Sequence, residues 1–194
     1  MALEREIKLQ FDSAEDARER ILSIGATPLR GRRLQEDTLL DAEDDRLYQR
    51  RCVLRVRSEN QRSVLTFKGP IQPGAMKVRE EHETVASDGD TLLLILQELG
   101  FRDWFRYEKY REEFAAEDVV IAIDETPVGI FVEIEGGEDH IHQTAAALGK
   151  TEDDYVTDSY RTLFVEYART HGLSARDMTF TALSAAASVA PVAE

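Results

Sequence analysis

The feature that most restricts how this chain can fold is a recurring division of its strand-like segments, charge on one side and aliphatic groups on the other. Residues two apart on a β-strand share a face. From Leu3 to Phe11, Glu4, Glu6 and Lys8 fall together, with Leu3, Ile7 and Leu9 opposite. Arg55 and Arg57 oppose Leu54 and Val56, and Lys68 opposes Leu65 and Phe67. Arg79, Glu81 and Glu83 share a face, as do Lys109 and Arg111 with Tyr107. Asp124 opposes Ile121 and Ile123, and Glu133 and Glu135 share a face with Phe131, opposite Val132 and Ile134.

For any one strand, this pattern describes an ordinary solvated face over a buried one. The set is different. Its seven acids and seven bases balance, in a chain of net charge −14. The acids gather on the first, fifth, seventh and eighth strands, and much of the basic charge on the third, fourth and sixth. If the sheet closes with these faces inward, carboxylates form one wall and cations another. Clustered carboxylates take up protons unless a cation sits among them. Hard oxygen ligands of this kind suit Mg²⁺ or Mn²⁺. Facing arginines and lysines would neutralise phosphate oxygens, arginine through paired contacts. A polyphosphate compound bound together with a divalent metal is therefore the expected ligand.

The remaining pattern supports such a barrel. Ser13 caps a helix over Ala14–Ile24 that stops at Gly25, and Leu29–Asp41 is extended. Cys52–Ser58 and Ser63–Lys68 make a hairpin turning at Glu59-Asn60-Gln61, and Lys77–Val85 follows a Gly/Pro loop. A leucine-rich helix over Asp90–Leu99 leads to strands at Phe101–Ala115, Asp118–Glu125 and Ile130–Glu135. Helices are expected at His140–Leu148 and Asp153–Thr170. The prediction is an α+β fold, an eight-stranded antiparallel barrel with helices packed outside. Residues 1–172 would form one domain. Residues 173–194, rich in Ala, Ser and Thr, would be a mobile extension or a loosely docked helix.

Composition excludes several other classes. So acidic a chain is a poor nucleic-acid binder, and no run approaches the ~20 apolar residues of a membrane span. Met-Ala-Leu-Glu-Arg-Glu lacks an apolar signal core, and the one cysteine, Cys52, forbids an intrachain disulfide, so a cytoplasmic location is expected. His82, His140, His142 and His171 share no metal-ligand spacing, and His82 lies on the face opposite Glu81 and Glu83. The chain is expected to take a small polyphosphate compound as its partner, with a homodimer possible.

The string Glu4-Arg5-Glu6-Ile7-Lys8 resembles the ExExK signature of the CYTH superfamily, the triphosphate tunnel metalloenzymes. The ordered set that follows strengthens the likeness: Asp37 to Asp41, Leu54-Arg55-Val56-Arg57, Leu65 to Gly69, Arg79 to Glu83, Lys109-Tyr110-Arg111, Asp124, and Gly129 to Glu135. It runs from about Leu3 to Thr170. The resemblance implies an eight-stranded tunnel in which Glu4, Glu6, Glu133 and Glu135 hold the metal. It assigns phosphate binding to Lys8, Arg55, Arg57, Lys68, Lys109 and Arg111. Arg79 would bind phosphate or orient Glu81, while Glu81, Glu83 and Asp124 would position a second metal or the attacking water. One departure stands out: some hydrolases of the family use a lysine from the C-terminal helix, and no lysine follows Lys150 here. That helix offers Tyr155, Ser159, Tyr160 and Arg161 instead.

The activity expected first is divalent-metal-dependent hydrolysis of a triphosphate compound, with inorganic tripolyphosphate the most economical substrate. Thiamine triphosphate or a nucleotide would also need an organic-group pocket, to which Trp104, Phe105 and Tyr107 are candidate contributors. A class IV adenylate cyclase, a thiamine triphosphatase and a non-catalytic polyphosphate sensor are the rival expectations, and the fold by itself does not separate them.

Overall fold

The computed structural model describes residues 2–189. In chain order they form β1 (Ala2–Phe11), α1 (Ala14–Ser23), β2 (Thr27–Ala42), α2 (Arg46–Gln49), β3 (Val53–Glu59), β4 (Arg62–Lys68) and β5 (Lys77–Ala86). Then follow α3 (Gly89–Glu98), β6 (Phe101–Ala116), β7 (Val119–Thr126), β8 (Gly129–Gly136), α4 (Glu138–Ala147), α5 (Tyr160–Thr170) and α6 (Phe180–Val189). The strands close into one barrel in the order β1-β5-β4-β3-β2-β6-β7-β8, and every neighbouring pair is antiparallel. The expected eight-stranded barrel with outer helices is the observed fold. Among the described residues no helix is long and apolar enough to cross a membrane.

Local chemistry explains the joints. The Ser13 hydroxyl accepts from Asp16 N at 3.0 Å and starts α1, and Gly25 follows with φ of 86°. The β3–β4 hairpin turns on Asn60 and Gln61, both left-handed with φ of 46° and 63°, the geometry that matches the twist of a two-residue hairpin. Gly136 ends β8 so close to the β7 turn that a Cβ there would lie 2.5 Å from the Asp118 carbonyl.

The barrel turns the usual arrangement inside out. The aliphatic faces point outward: Leu9, Ile121 and Ile134 pack with Ala17 and Ile21 of α1 and Ile141 and Ala145 of α4. A smaller cluster of Leu40, Val56 and Leu96 joins α3 to the barrel. Burying these aliphatic side chains contributes roughly 1.5–3 kcal/mol each, so the helices serve as the lining of an external core. The charged faces are left to point inward. Lys8 and Lys109 are both only 2% exposed, although neither belongs to a hydrophobic core.

One segment differs from expectation. The helix expected over Asp153–Thr170 is a short 3₁₀ turn at Glu152–Asp154, an extended strap, and α5 beginning at Tyr160. The strap is pinned by backbone and side chain: Val156 N donates to the Lys8 carbonyl at 2.8 Å, and Lys8 and Lys77 Nζ each donate to the Asp158 carbonyl at 3.1 Å. Ser159 then caps α5 by accepting from Thr162 N. These cross-chain bonds compete with the i to i−4 ladder, and nothing in local propensity announces them.

The segment after Gly172 is docked. β7 pairs with β6 only from Tyr110 onward, which leaves backbone groups of the earlier part of β6 to be satisfied. Met178 N donates to the Arg106 carbonyl at 2.9 Å, Glu108 N donates to the Met178 carbonyl at 3.0 Å, and Met178 itself is fully buried. Leu183 of α6 packs with Phe105 and Phe164. The remainder of the expected tail, residues 190–194, lies outside the described residues.

Candidate functional site

The inward charged faces surround a cavity of about 610 Å³ that runs through the barrel. Of the seven acids and seven bases singled out in the sequence, all border it except Asp124. Period-2 alternation has therefore brought together groups 129 residues apart, since Glu6 of β1 is the register partner of Glu135 of β8.

Acids and bases meet across strands as ion pairs. Lys68 Nζ bridges Glu4 at 2.7 Å and Glu81 at 3.0 Å, and Arg79 Nε donates to the other oxygen of Glu4 at 3.0 Å. Lys8 lies 3.5 Å from Glu133, which also bonds Arg111. Arg55 Nη2 donates to Thr66 Oγ1 at 3.1 Å and approaches Glu83 at 3.5 Å, while Thr66 donates to Glu83 at 2.7 Å. Glu6 has a lysine at 3.4 Å that sequence inspection left out of the site, Lys77.

Asp124 occupies a different position from the one expected. It is wholly buried behind the cavity wall, and its oxygens accept from Lys109 Nζ at 2.7 Å, Arg111 Nε at 2.7 Å and Nη2 at 2.6 Å, and Tyr160 Oη at 2.6 Å. No edge of it faces the cavity to receive a water or metal. It sets the positions of two cations instead. Asp37 is its counterpart on the other wall, 1% exposed, accepting from Arg57 Nε at 2.8 Å with Arg55 Nε 3.4 Å away. The sequence placed Asp37 in the ordered motif without a site role. Its alternation with Gln35 and Leu39 on the inward face was the available signal.

The start of α5 meets one end of the cavity. Tyr160 and Ser159 at the start of α5 border it, together with Arg161, Leu39 and Val53. Tyr160 is packed against Tyr107 and Phe131, with ring centroids 5.8 and 5.7 Å apart. Of the aromatic residues considered for an organic-group pocket, Phe105 is core, Tyr107 borders the cavity, and Trp104 lies outside it beneath the Arg161 guanidinium at 4.2 Å. Tyr155 turns away and pairs with His142 at 2.9 Å. Toward the other end, Arg33 sits within 2.8 Å of both Glu59 and Glu113, with exposed Arg30 and Arg62 beside them.

These surroundings divide the carboxylates into two kinds. Burial opposes the charge of Glu4, but Lys68 and Arg79 outweigh it and hold the carboxyl at about 2. Glu133 is likewise driven well below the ordinary range, its burial overcome by Lys109, Arg111 and Lys8. Glu81 and Glu135 go the other way. Burial raises both to about 7, and Glu4 adds its repulsion to each, partly offset by Lys68. Glu81 yields to Glu4 because they share Lys68 and only Glu4 also has Arg79. Burial lowers Lys77 and Lys109 to about 8 each, with repulsion from Lys8 and Arg111 respectively.

A divalent metal fits this donor set. Glu4, Glu6, Glu133 and Glu135 are adjacent through the β5–β1–β8 register and supply only hard oxygen. The raised Glu81 and Glu135 mark a wall with fewer cations than its carboxylates call for. Among the described residues no three of these groups already converge as a finished cage. That matches an ion completed by phosphate oxygens, as Mg²⁺ commonly is.

Known proteins share this architecture. A protein of Methanocaldococcus jannaschii, provisionally named an adenylate cyclase, is 30% identical over 134 residues, 69% of this chain and 76% of that one. Among solved structures, a protein of Pyrococcus horikoshii OT3 superposes with a TM-score of 0.69 at 26% identity, covering 84% of this chain and 98% of the other. A Hippeastrum protein, provisionally named an adenylyl cyclase and described as having a dominant triphosphatase activity, superposes with a TM-score of 0.65 at 18% identity, over 84% and 95% of the two chains. The CYTH domain pattern itself matches residues 2–160, from the first strand of the barrel to the tyrosine that begins α5. With the two-signed cavity inside the closed barrel, that match makes the chain a member of the CYTH family.

Proposed function

We propose that the protein hydrolyses the terminal phosphoanhydride of a triphosphate with a divalent metal, Mg²⁺ or Mn²⁺, and that inorganic tripolyphosphate suffices as substrate. The observation that carries this is the cation wall: Lys8, Lys68, Lys109 and Arg55 are each at most 8% exposed, yet all border the cavity. Each is paired with a protein carboxylate, yet the four converge from different strands on one cavity, where a polyanion could engage them together. The Hippeastrum protein is a precedent for this barrel carrying triphosphatase activity, at an identity that establishes shared fold alone.

In this proposal Lys8, Lys77 and Lys109 receive the phosphate nearest α5, and Arg55, Arg57, Lys68, Arg79 and Arg111 receive the rest of the chain of phosphates. The metal, held by Glu4, Glu6, Glu133 and Glu135, would polarise the anhydride and offset charge gathering on the leaving oxygen. Arg111 stays charged throughout, because Asp124 and Glu133 overcome its burial. Glu81, near 7, is the carboxylate suited to accept a proton from the attacking water at neutral pH. Glu83, hydrogen-bonded to Thr66, orients that water. Asp124 acts only through Lys109 and Arg111.

A second proposal, the adenylate cyclase, draws on the name of the M. jannaschii relative. In it the ribose 3′-hydroxyl attacks the α-phosphate of ATP and pyrophosphate leaves. A panel of tripolyphosphate, thiamine triphosphate, ATP and GTP, each with Mg²⁺ or Mn²⁺, separates the two when both orthophosphate and cyclic nucleotide are measured. Orthophosphate without cyclic nucleotide supports the hydrolase. Glu6→Gln should abolish turnover, and full metal-dependent activity in that variant would overturn the metal assignment.

A further inference from the structure

Tyr160 is buried where the start of α5 borders the cavity, and its ring, like the Glu133 carboxylate, is a neighbour common to two lysines. Lys8 Nζ lies 4.2 Å from the ring centroid and Lys109 Nζ lies 5.0 Å from it. The hydroxyl is committed elsewhere, donating to Asp124 at 2.6 Å. Phe131 and Tyr107 pack against the ring and fix its plane. The lysines are themselves 2% exposed, so little solvent competes with the ring for them.

We infer that Tyr160 is a positioning residue, whose aromatic face holds the Lys8 and Lys109 ammonium groups in place for an incoming phosphate. This rests on the triphosphate function proposed above and goes beyond it, since Tyr160 touches neither the reacting phosphate nor the metal in that proposal. The physical reason is a difference between two ways of restraining a cation. A carboxylate takes up an ammonium's N–H donors and cancels its charge, so a phosphate must displace it. An aromatic face attracts the same cation through its quadrupole and leaves both donors and charge available. Lys8 needs such support because its oxygen partners, Glu133 at 3.5 Å and the Asp158 carbonyl at 3.1 Å, leave part of its donor set free. Lys109 has Asp124 on one side and the ring on another. The ring thus adds to the oxygen partners of both lysines a restraint that takes up no further donor and cancels no further charge.

The test must separate ring electronics from ring shape. Tyr160→Phe keeps the ring and loses only the bond to Asp124, so a small rise in KM for tripolyphosphate is expected. Tyr160→Leu removes the aromatic face, and KM should rise about tenfold or more, the scale of one desolvated cation–π contact, with a lesser change in kcat. Leucine is smaller and could loosen the packing there, so the decisive series replaces residue 160 by phenylalanine bearing none, one, two and three fluorines. These rings share a shape and differ in face charge. Tripolyphosphate affinity, measured by calorimetry in EDTA so that no turnover intervenes, should weaken step by step with fluorination. A flat series, or Tyr160→Phe as impaired as a folded Tyr160→Leu, overturns the inference. Failure of the wild-type protein to bind tripolyphosphate would instead sink the function on which it rests.

Discussion

Replacing Asp124 by asparagine removes one negative charge from a place that solvent does not reach, while keeping the size of the side chain. In the wild type that carboxylate takes four hydrogen bonds, from Lys109, twice from Arg111 and from Tyr160. An asparagine has one oxygen to offer, and its amide group would point two more donors at a cluster already crowded with them. Lys109 and Arg111 would be left with Glu133 as their shared acid, and Lys109 meets it only at 3.9 Å. Breaking a buried ion pair from one side costs ~3–5 kcal/mol, which for a chain of this size lowers the melting temperature by about 10 °C. Thermal unfolding followed by circular dichroism at pH 7 measures the loss directly. Tripolyphosphate, added in excess with EDTA present, should restore part of it, because the ligand brings the two cations the negative charge they have lost. The ligand-induced rise should then be larger in the variant than in the wild type. A variant that melts within about 2 °C of wild type would refute the reasoning, for Asp124 would then not be paying the cost of burying those cations.

Other expectations follow from the same geometry. Without metal, Glu81 and Glu135 titrate at about 7, against 4.5 for the free side chain. The folded protein then keeps protons that the unfolded chain has released, so metal-free stability declines as pH rises from 4.5 towards about 7. Saturating Mg²⁺ replaces those protons, and the gap in melting temperature between Mg²⁺ and EDTA should widen across that window. An equal gap at either end would count against these carboxylates as ligands. Arg57→Ala should raise KM for tripolyphosphate about tenfold or more, on the scale of a charged hydrogen bond lost. Steady-state kinetics on Arg57→Lys should show part of that affinity recovered, since charge is kept and the planar fork lost.

Strand number, barrel closure and the two-signed cavity were readable because alternation has a single meaning on a strand: residues two apart either all face in or all face out. What alternation cannot supply is depth behind the wall. Asp124 shares its strand face with Ala122 and looked no different from Glu81, yet four donors envelop it and it faces no open space. Lys77 sits two residues before Arg79 and was visible on the same ground, but it opens its strand, where a lysine ordinarily reads as a solvated end. The strap from Tyr155 to Ser159 depended on bonds to Lys8 and Lys77, partners far away in sequence, and a local helical pattern hid it. The docking of Met178 similarly answers an unfilled stretch of β6 that exists only once β7 has paired.

The closing of β1 onto β8 has a consequence for how copies of this chain can meet. An open sheet of eight strands would present two rows of unpaired peptide groups, ready to recruit a strand from a neighbour. Here each strand already has partners on both sides. Any pair of such molecules would have to recognise one another through side chains on the outer surface, so their contact could be altered by surface substitution without disturbing a single rung of the ladder.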